Sequence, residues 1–264
     1  MIDTKLFAER TIPLERMKGV KLMNRVDRKF VTCVTKLDRL LKAALQCGYL
    51  AQEVGDGVVA EYDTIYLDTH LLDNYLTHHN GHLTRQKVRV RKYLDNGETF
   101  LEIKNKSNNG RTRKKRISIP QENIASPFEA PGAAKFLEGR LLYIQDDYSP
   151  SLRTTFKRIT LVNPEMTERI TIDTGLRFEN LRNGRRFDMD GLMIVELKQD
   201  GTKISTMRSL LAREGIRRMG FSKYCIGTAV TTEGLKQNRF KEKIIYTKKM
   251  INQYVELTTS TSGI

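Results

Sequence analysis

The sequence predicts an α+β protein in which antiparallel strands close into a β-barrel with a charged lumen, its outer face covered by flanking helices. Three observations predict it. In Lys87-Val88-Arg89-Val90-Arg91 the two-residue side-chain period of a strand puts the cations on one face and the valines on the other. The same alternation recurs in Leu101-Glu102-Ile103-Lys104, Arg169-Ile170-Thr171-Ile172-Asp173 and Val195-Glu196-Leu197-Lys198. The turns Asp95-Asn96-Gly97 and Asn108-Asn109-Gly110 are hairpin signals, and helical patterns are set among the strands, as in α+β folds.

The elements follow in order. A short helix is expected at 12–18 and a strand at 25–34. Thr35 reads as an N-cap, because Leu37, Leu40, Leu41, Ala44 and Leu45 follow at helical spacing and Gly48 closes the segment. Residues 58–68 are β-rich and 71–80 form a short helix. Basic strands at 86–94, 98–106 and 111–119 end at Pro120, and 121–145 carry helical patterning. Strands return at 151–162, 167–178 and 192–199, followed by helices at 203–214 and 223–232. The last thirty or so residues are basic and polar, with a solvated helix over 236–249 and a frayed terminus. The expected organisation is an N-terminal helical segment (1–19), one tunnel-like domain (20–232) and a basic C-terminal helix or tail (233–264).

Composition bounds the partners. At 264 residues and 39% hydrophobic the chain can bury a substantial core. A net charge of +15, from 46 Lys and Arg against 31 Asp and Glu, predicts attraction to phosphate-rich partners. Cys33, Cys47 and Cys225 lack CxxC spacing and read as buried thiols of a reducing compartment. There is no apolar signal core and nothing near the roughly 18 apolar residues of a membrane span, so a cytoplasmic protein is expected.

Parity within strands selects the charges that share a face. In 111–119, Ile117 and Ile119 share parity with Arg113 and Lys115, so Lys114 and Arg116 face the lumen. Arg25, Asp27 and Lys29 share one face of the first strand. Arg158 is ambiguous by pattern, since it shares parity with Phe156. Solvated outer faces with Glu–Lys pairs are the ordinary explanation of such strands. Lys29, Arg89, Arg91, Lys104, Lys114, Arg116, Arg169 and Lys198 nevertheless outnumber Asp27, Glu102, Asp173 and Glu196, and an anionic ligand would balance them.

Ordered along the chain, Arg25-Val-Asp-Arg-Lys-Phe30, Tyr66-Leu-Asp-Thr69, Lys87-Val-Arg-Val-Arg91, Leu101-Glu-Ile-Lys104, Lys114-Lys-Arg116, Phe156-Lys-Arg158, Ile172-Asp-Thr174, Val195-Glu-Leu-Lys198 and Phe221-Ser-Lys-Tyr224 resemble the VTC domain. This is the catalytic domain of the vacuolar transporter chaperone polyphosphate polymerase, in the triphosphate tunnel metalloenzyme superfamily. The resemblance implies a closed eight-stranded antiparallel tunnel holding a nucleoside triphosphate with Mn²⁺ or Mg²⁺. It implies transfer of the γ-phosphate of ATP to a growing inorganic polyphosphate chain. Arg89, Arg91, Lys104, Lys198 and Glu196 would be catalytic, Glu196 as the main metal ligand. Lys29, Lys114, Arg158, Arg169 and Lys223 would bind phosphate, and the lumen-facing parity adds Arg116.

The run Arg25-Val-Asp27-Arg-Lys29 departs from the ExExK of many tunnel enzymes by replacing one acidic position with arginine, which is closer to the polymerase branch. A tunnel-fold triphosphatase or polyphosphatase is the alternative, and a non-catalytic module binding polyphosphate or nucleic acid a third. Nucleic acid is not the expected partner, and any export of product would need an unidentified membrane partner. His70, His78, His79 and His82 resemble a metal site by composition, but adjacent residues on a helix diverge. Tyr62, Tyr66 and Tyr93 could stack on adenine or pack in strands. Ser222 is placed to cap the helix bearing Lys223.

Overall fold

The computed structural model describes residues 4–7, 10–17, 25–201 and 204–261. Its strands are β1 (Thr11–Ile12), β2 (Arg25–Cys33), β3 (Leu50–Gln52), β4 (Val59–Thr69), β5 (Arg85–Tyr93), β6 (Thr99–Lys106), β7 (Thr112–Ser118), β8 (Tyr148–Val162), β9 (Glu168–Asn180), β10 (Arg186–Met189) and β11 (Leu192–Asp200). They form one 11-stranded sheet along the path β2-β11-β9-β8-β4-β5-β6-β7. Every pairing on that path is antiparallel. The helices are α1 (Leu14–Met17), α2 (Leu37–Gln46), α3 (Asp73–His79), α4 (Ala133–Leu137), α5 (Thr206–Arg213), α6 (Lys223–Thr231) and α7 (Lys241–Thr261).

The α+β class with flanking helices agrees with the expectation, but the closed eight-stranded barrel does not. Among the described residues the path ends at β2 and β7 without pairing them, and β1, β3 and β10 lie off it. The sheet is nevertheless strongly curled. Lys104 on β6 and Glu196 on β11 stand five strands apart along the path, on the order of 24 Å in a flat sheet at about 4.8 Å per strand. Yet the Glu196 carboxylate acts on the Lys104 ammonium, as does Lys29 of β2. The free edge of β7 is a run of exposed cations, Arg113-Lys114-Lys115-Arg116, and charged side chains on an edge strand oppose further pairing.

Apolar burial covers both sides of this sheet. On the convex side, Phe30, Ile159, Leu161, Ile170, Ile172, Val195 and Leu197 pack against Leu37, Leu40, Leu41 and Ala44 of α2 and Met207, Leu210 and Leu211 of α5. Val88, Val90, Leu101 and Ile103 pack instead under Phe136 and Leu137 of α4. On the concave side, one end is filled by α6, whose Tyr224, Cys225, Ile226 and Ala229 meet Val31, Leu152, Phe178, Leu192 and Ile194. Parity along β9 changes at Gly175, which has φ 58° where the β8–β9 register shifts. A glycine in the left-handed region is the usual first residue of such a bulge. It lets Asp173, Leu176 and Phe178 share the concave face.

Buried carboxylates pin the helices. Asp68 accepts N–H bonds from Thr69 (2.8 Å), Asn74 (2.9 Å) and Tyr75 (3.0 Å) at the start of α3, and the Tyr224 hydroxyl of α6 donates to it. Glu168 accepts from the Tyr49 and Ser205 hydroxyls and from the Met207 N–H (3.3 Å) at the start of α5.

Other expectations are corrected in detail. Thr35 is not a cap: it lies in a 3₁₀ turn, Val34–Lys36, and its hydroxyl donates to Cys33 Sγ (3.2 Å). The helix expected at 12–18 is reduced to α1, because Thr11–Ile12 pairs with β3. Residues 18–24, which carry the expected boundary at 19–20, and 262–264 lie outside the described residues. Most of 121–145 is irregular, with α4 as its α-helical element. The C-terminal segment is helical but not simply solvated, since α7 buries Ile244 and Thr247 and Tyr246 donates to the Val31 carbonyl (3.2 Å). No helix among the described residues is long and apolar enough to cross a membrane.

Helix α6 approaches the sheet this closely because Gly227 has no side chain. A Cβ there would stand 2.5 Å from Phe178 Cδ1 and 2.7 Å from Leu152 Cδ2. Gly227→Val is therefore expected to cost about 1–3 kcal/mol through overpacking, read as a lower Tm in a thermal melt.

Candidate functional site

The concave face opposite the α6 plug is a wall of charge. Lys87, Arg89 and Arg91 come from β5, Glu102 and Lys104 from β6, Lys114 and Arg116 from β7, and Arg158 from β8. Arg169 and Asp173 come from β9, Glu196 and Lys198 from β11, Lys29 from β2, and Lys223 from the first turn of α6. Antiparallel pairing sets the pattern: Glu102 lies opposite Arg89, Arg158 opposite Asp173, and Glu196 opposite Lys29.

Two buried carboxylates act as clamps. Glu102, 1% exposed, accepts from Arg89 Nε (2.7 Å) and Nη2 (2.6 Å) on one side and pairs with Lys114 on the other. Asp173, 3% exposed, receives Arg158 Nε (2.6 Å) and Nη2 (2.8 Å) on its two oxygens and also pairs with Lys223. Such charge-assisted forks are the strong class of hydrogen bond. Burial alone would push the Glu102 carboxyl up, but Arg89, Arg91 and Lys114 outweigh it and hold it at about 2. Burial is likewise outweighed at Asp173, which Arg158 and Lys223 hold well below the usual carboxylate range.

The remaining field is positive. Lys87, Lys114, Lys198 and Lys223 are each pushed down to about 8, first by burial and then by neighbouring cations, despite the anions near them. The phenol of Tyr66, which burial would raise, is lowered because Arg89, Arg91 and Lys223 prevail. Arg91 is the extreme case. It is 7% exposed, its Nε donates to Thr64 Oγ1 (3.3 Å), and among the described residues it forms no salt bridge with a carboxylate, Glu102 acting on it only at longer range. Burial, then the like charge of Arg89, lowers its pKa.

Lys29 Nζ donates to the Phe221 carbonyl (2.9 Å), and Lys87 Nζ to Ser222 Oγ (2.9 Å). That Ser222 oxygen also accepts from the Cys225 N–H (3.2 Å), capping α6 as expected. The positive end of α6 thus reinforces the cationic wall.

Glu196 differs from the two clamps. Burial is outweighed at its carboxyl by Lys29, Lys198 and Arg158, which hold it at about 2. Its nearest ion-pair contact is Lys198 Nζ at 4.0 Å, so this ionised carboxylate keeps oxygen valence in hand. Among the described residues no group of three or more His, Cys, Asp or Glu could hold a metal ion by itself. The donor set fits a hard divalent cation that takes one carboxylate from the protein and other oxygens from a bound phosphate chain, as Mg²⁺ sites commonly do.

The structure brings Lys29, Arg89, Arg91, Lys104, Lys114, Arg158, Lys198, Lys223 and Glu196 onto one concave wall. Arg169 lies opposite Lys198 in the β9–β11 register and its charge depresses that lysine. Arg116 stands apart at the exposed edge, over the Phe100 ring at 4.1 Å. Reading the sequence missed Lys87 as a site residue, although its parity with Arg89 and Arg91 was a sufficient signal. It also missed the clamping roles of Glu102 and Asp173, for which no local signal exists. The histidines do not converge: His79 is buried beside Phe240, and His78 is pushed down to about 3, first by burial and then by Lys87 and Arg85. Tyr62 and Tyr66 pack in the core, Tyr62 stacked on Phe156 and Tyr66 against Tyr224.

A family model described as the VTC domain matches residues 24–232. Nothing matches among curated proteins. Among solved structures, a candidate adenylate cyclase from Vibrio parahaemolyticus is 14% identical, with 76% of this chain and 96% of that one covered and a TM-score of 0.45. A candidate adenylyl cyclase from Hippeastrum, described as having a dominant triphosphatase activity, is 15% identical over 81% and 99%, with a TM-score of 0.48. A protein of Pyrococcus horikoshii is 13% identical over 78% and 98%, with a TM-score of 0.44.

The depressed lysines link anion binding to protons. At about pH 8.5 they are partly neutral in the empty wall, and a polyanion favours their charged form. Binding therefore takes up protons there and weakens as pH rises from 8 to 10. Calorimetry of tripolyphosphate binding in buffers of different ionisation enthalpy checks this. Uptake at pH 8.5 is expected to be larger in the wild type than in Lys198→Met, a difference in which the ligand's own titration cancels.

Proposed function

The chain belongs to the VTC domain family, and from that premise we propose that it is a metal-dependent polyphosphate polymerase, transferring the γ-phosphate of ATP to a growing inorganic polyphosphate chain and releasing ADP. The observation that carries this reading is Arg91, a buried guanidinium with no carboxylate salt bridge among the described residues, set among Arg89, Arg158 and the depressed lysines. A buried charge left unpaired is costly, and a chain of phosphates is the anion that would match a wall of this extent.

Phosphoryl transfer needs alignment and neutralisation of the equatorial oxygens more than a protein nucleophile. Arg91 and Arg89 would grip the transferred group, with Arg89 held in orientation by Glu102. Lys29, Lys104, Lys114, Arg158, Arg169, Lys198 and Lys223 would contact the flanking phosphates. Lysines act there as point charges past which a chain can move, and arginines as forks. Glu196 would hold Mn²⁺ or Mg²⁺, which when bound neutralises charge on the phosphate oxygens.

The acidity of the carboxylates fits a transfer in which no carboxylate takes a proton. Glu102 and Glu196 are held at about 2, too acidic to be effective general bases near neutral pH. The terminal phosphate of a polymer is already ionised and needs no base; for an attacking water the lysines pushed down to about 8 would be the proton acceptors, and hydrolysis of a triphosphate is the second reading.

Incubation with ATP and Mn²⁺ is expected to give a polyphosphate ladder on a urea gel, matched by ADP. Arg91→Ala should lower turnover by about 10²-fold or more, the range for removing one preorganised charge donor. Glu196→Gln should remove the metal-dependent activity while leaving the Tm close to that of the wild type. Free phosphate without polymer would move the chain to the hydrolases, and wild-type turnover by both variants would overturn the site.

A further inference from the structure

An aromatic belt crosses the cationic wall. Phe156 of β8 and Tyr62 of β4 are direct cross-strand partners and stack with centroids 5.0 Å apart and planes within 2°. Tyr62 is also the register partner of Tyr93 on β5, at 5.0 Å and 54°. Tyr93 meets Phe100 of β6 edge-on at 5.9 Å.

Cations from different elements converge on these rings. Arg158 Cζ lies 5.1 Å from the Tyr62 centroid and 5.3 Å from that of Phe156. Arg91 Cζ lies 5.2 Å and 5.9 Å from the same two, and Lys223 Nζ is 4.1 Å from Phe156. Arg91 and Arg158 repel each other, so something must hold both beside one ring pair. A carboxylate could do so, but it would occupy the guanidinium fork. That is the state of Arg158, whose Nε and Nη2 are taken by Asp173. A ring face attracts a guanidinium electrostatically without accepting its conventional N–H bonds, which leaves the fork for a ligand.

We propose that the Phe156–Tyr62 ring pair is a positioning element, a neutral counter-surface on which Arg91 is held beside Arg158 and Lys223, so that Asp173 engages Arg158 and Lys223 while the terminal Nη donors of Arg91 stay available to a condensed-phosphate chain. The inference rests on the reading of the wall as a polyphosphate site and deepens it. Phe156 and Tyr62 act through the cations and need not touch the phosphates.

The test is a double-mutant cycle read by tripolyphosphate affinity in calorimetry, with melting temperatures alongside. Phe156→Leu keeps an apolar side chain but removes the ring, and is expected to weaken binding about tenfold. Phe156→Tyr should restore it. In an Arg91→Ala background the cost of Phe156→Leu should shrink to about threefold or less, because part of its effect passes through Arg91. Equal losses in both backgrounds, tracking the fall in Tm, would make the ring a packing residue and overturn the proposal. So would wild-type affinity in Phe156→Leu. Absence of tripolyphosphate binding by the wild type would instead remove the polyphosphate reading itself. Tyr62→Leu carries the same cycle if Phe156→Leu does not fold.

Discussion

The structure depends on one electrostatic constraint: a curled sheet gathers more cations than anions into a partly buried concavity. Each of Lys198 and Lys223, shifted from 10.5 to about 8, carries its charge at a disadvantage on the order of 3 kcal/mol. A domain's net stability is about 5–15 kcal/mol, so a few such groups matter at the scale of the whole fold. Glu102 and Asp173 relieve part of the repulsion, each by neutralising an arginine and a lysine at once. What remains is concentrated at Arg91, which among the described residues has no carboxylate salt bridge and meets Glu102 only at longer range.

The rest of the molecule offsets that cost from outside the wall. The convex face is covered by α2, α5 and the α4 region, and one end of the concave face is filled by α6. Full burial of a large apolar side chain is worth about 1.5–3 kcal/mol, so these clusters can hold the strands in place against the repulsion between their charges. Asp68 and Glu168 show the same economy of anions. Both are buried, yet each is satisfied by backbone N–H and hydroxyl donors at a helix start, which leaves the lumen cations uncompensated.

Rigidity and acidity then shape the chemistry. Arg158 is held by a bidentate pair and Arg89 by two N–H bonds to one Glu102 oxygen before any ligand arrives, so little reorganisation would remain on binding. The same ion pairs make the carboxylates poor proton acceptors. Ring faces near Arg91 and Arg158 supply attraction that consumes no donors. The clamped and unclamped cations are therefore different devices within one wall.

Much of this was legible along the chain. Alternation in 87–91, 101–104 and 195–198 placed the charged faces because strand periodicity is local, and the Asn-Gly turns marked the hairpins for the same reason. Other features were not. Phe156 and Arg158 share parity, and only the α6 plug explains how an apolar ring and a cation occupy the same concave face. The bulge at Gly175 changes the parity of β9 within one strand. The Asp173–Lys223 pair spans 50 residues, and the seam between β2 and β7 is a property of the two ends of the sheet. The sequence by itself determined which residues are charged, which of them alternate, and that the cations exceed the anions. The tertiary structure alone decided which carboxylates quench which cations and that Arg91 has no salt bridge among the described residues, because Coulomb interactions act through space at distances that chain order does not specify.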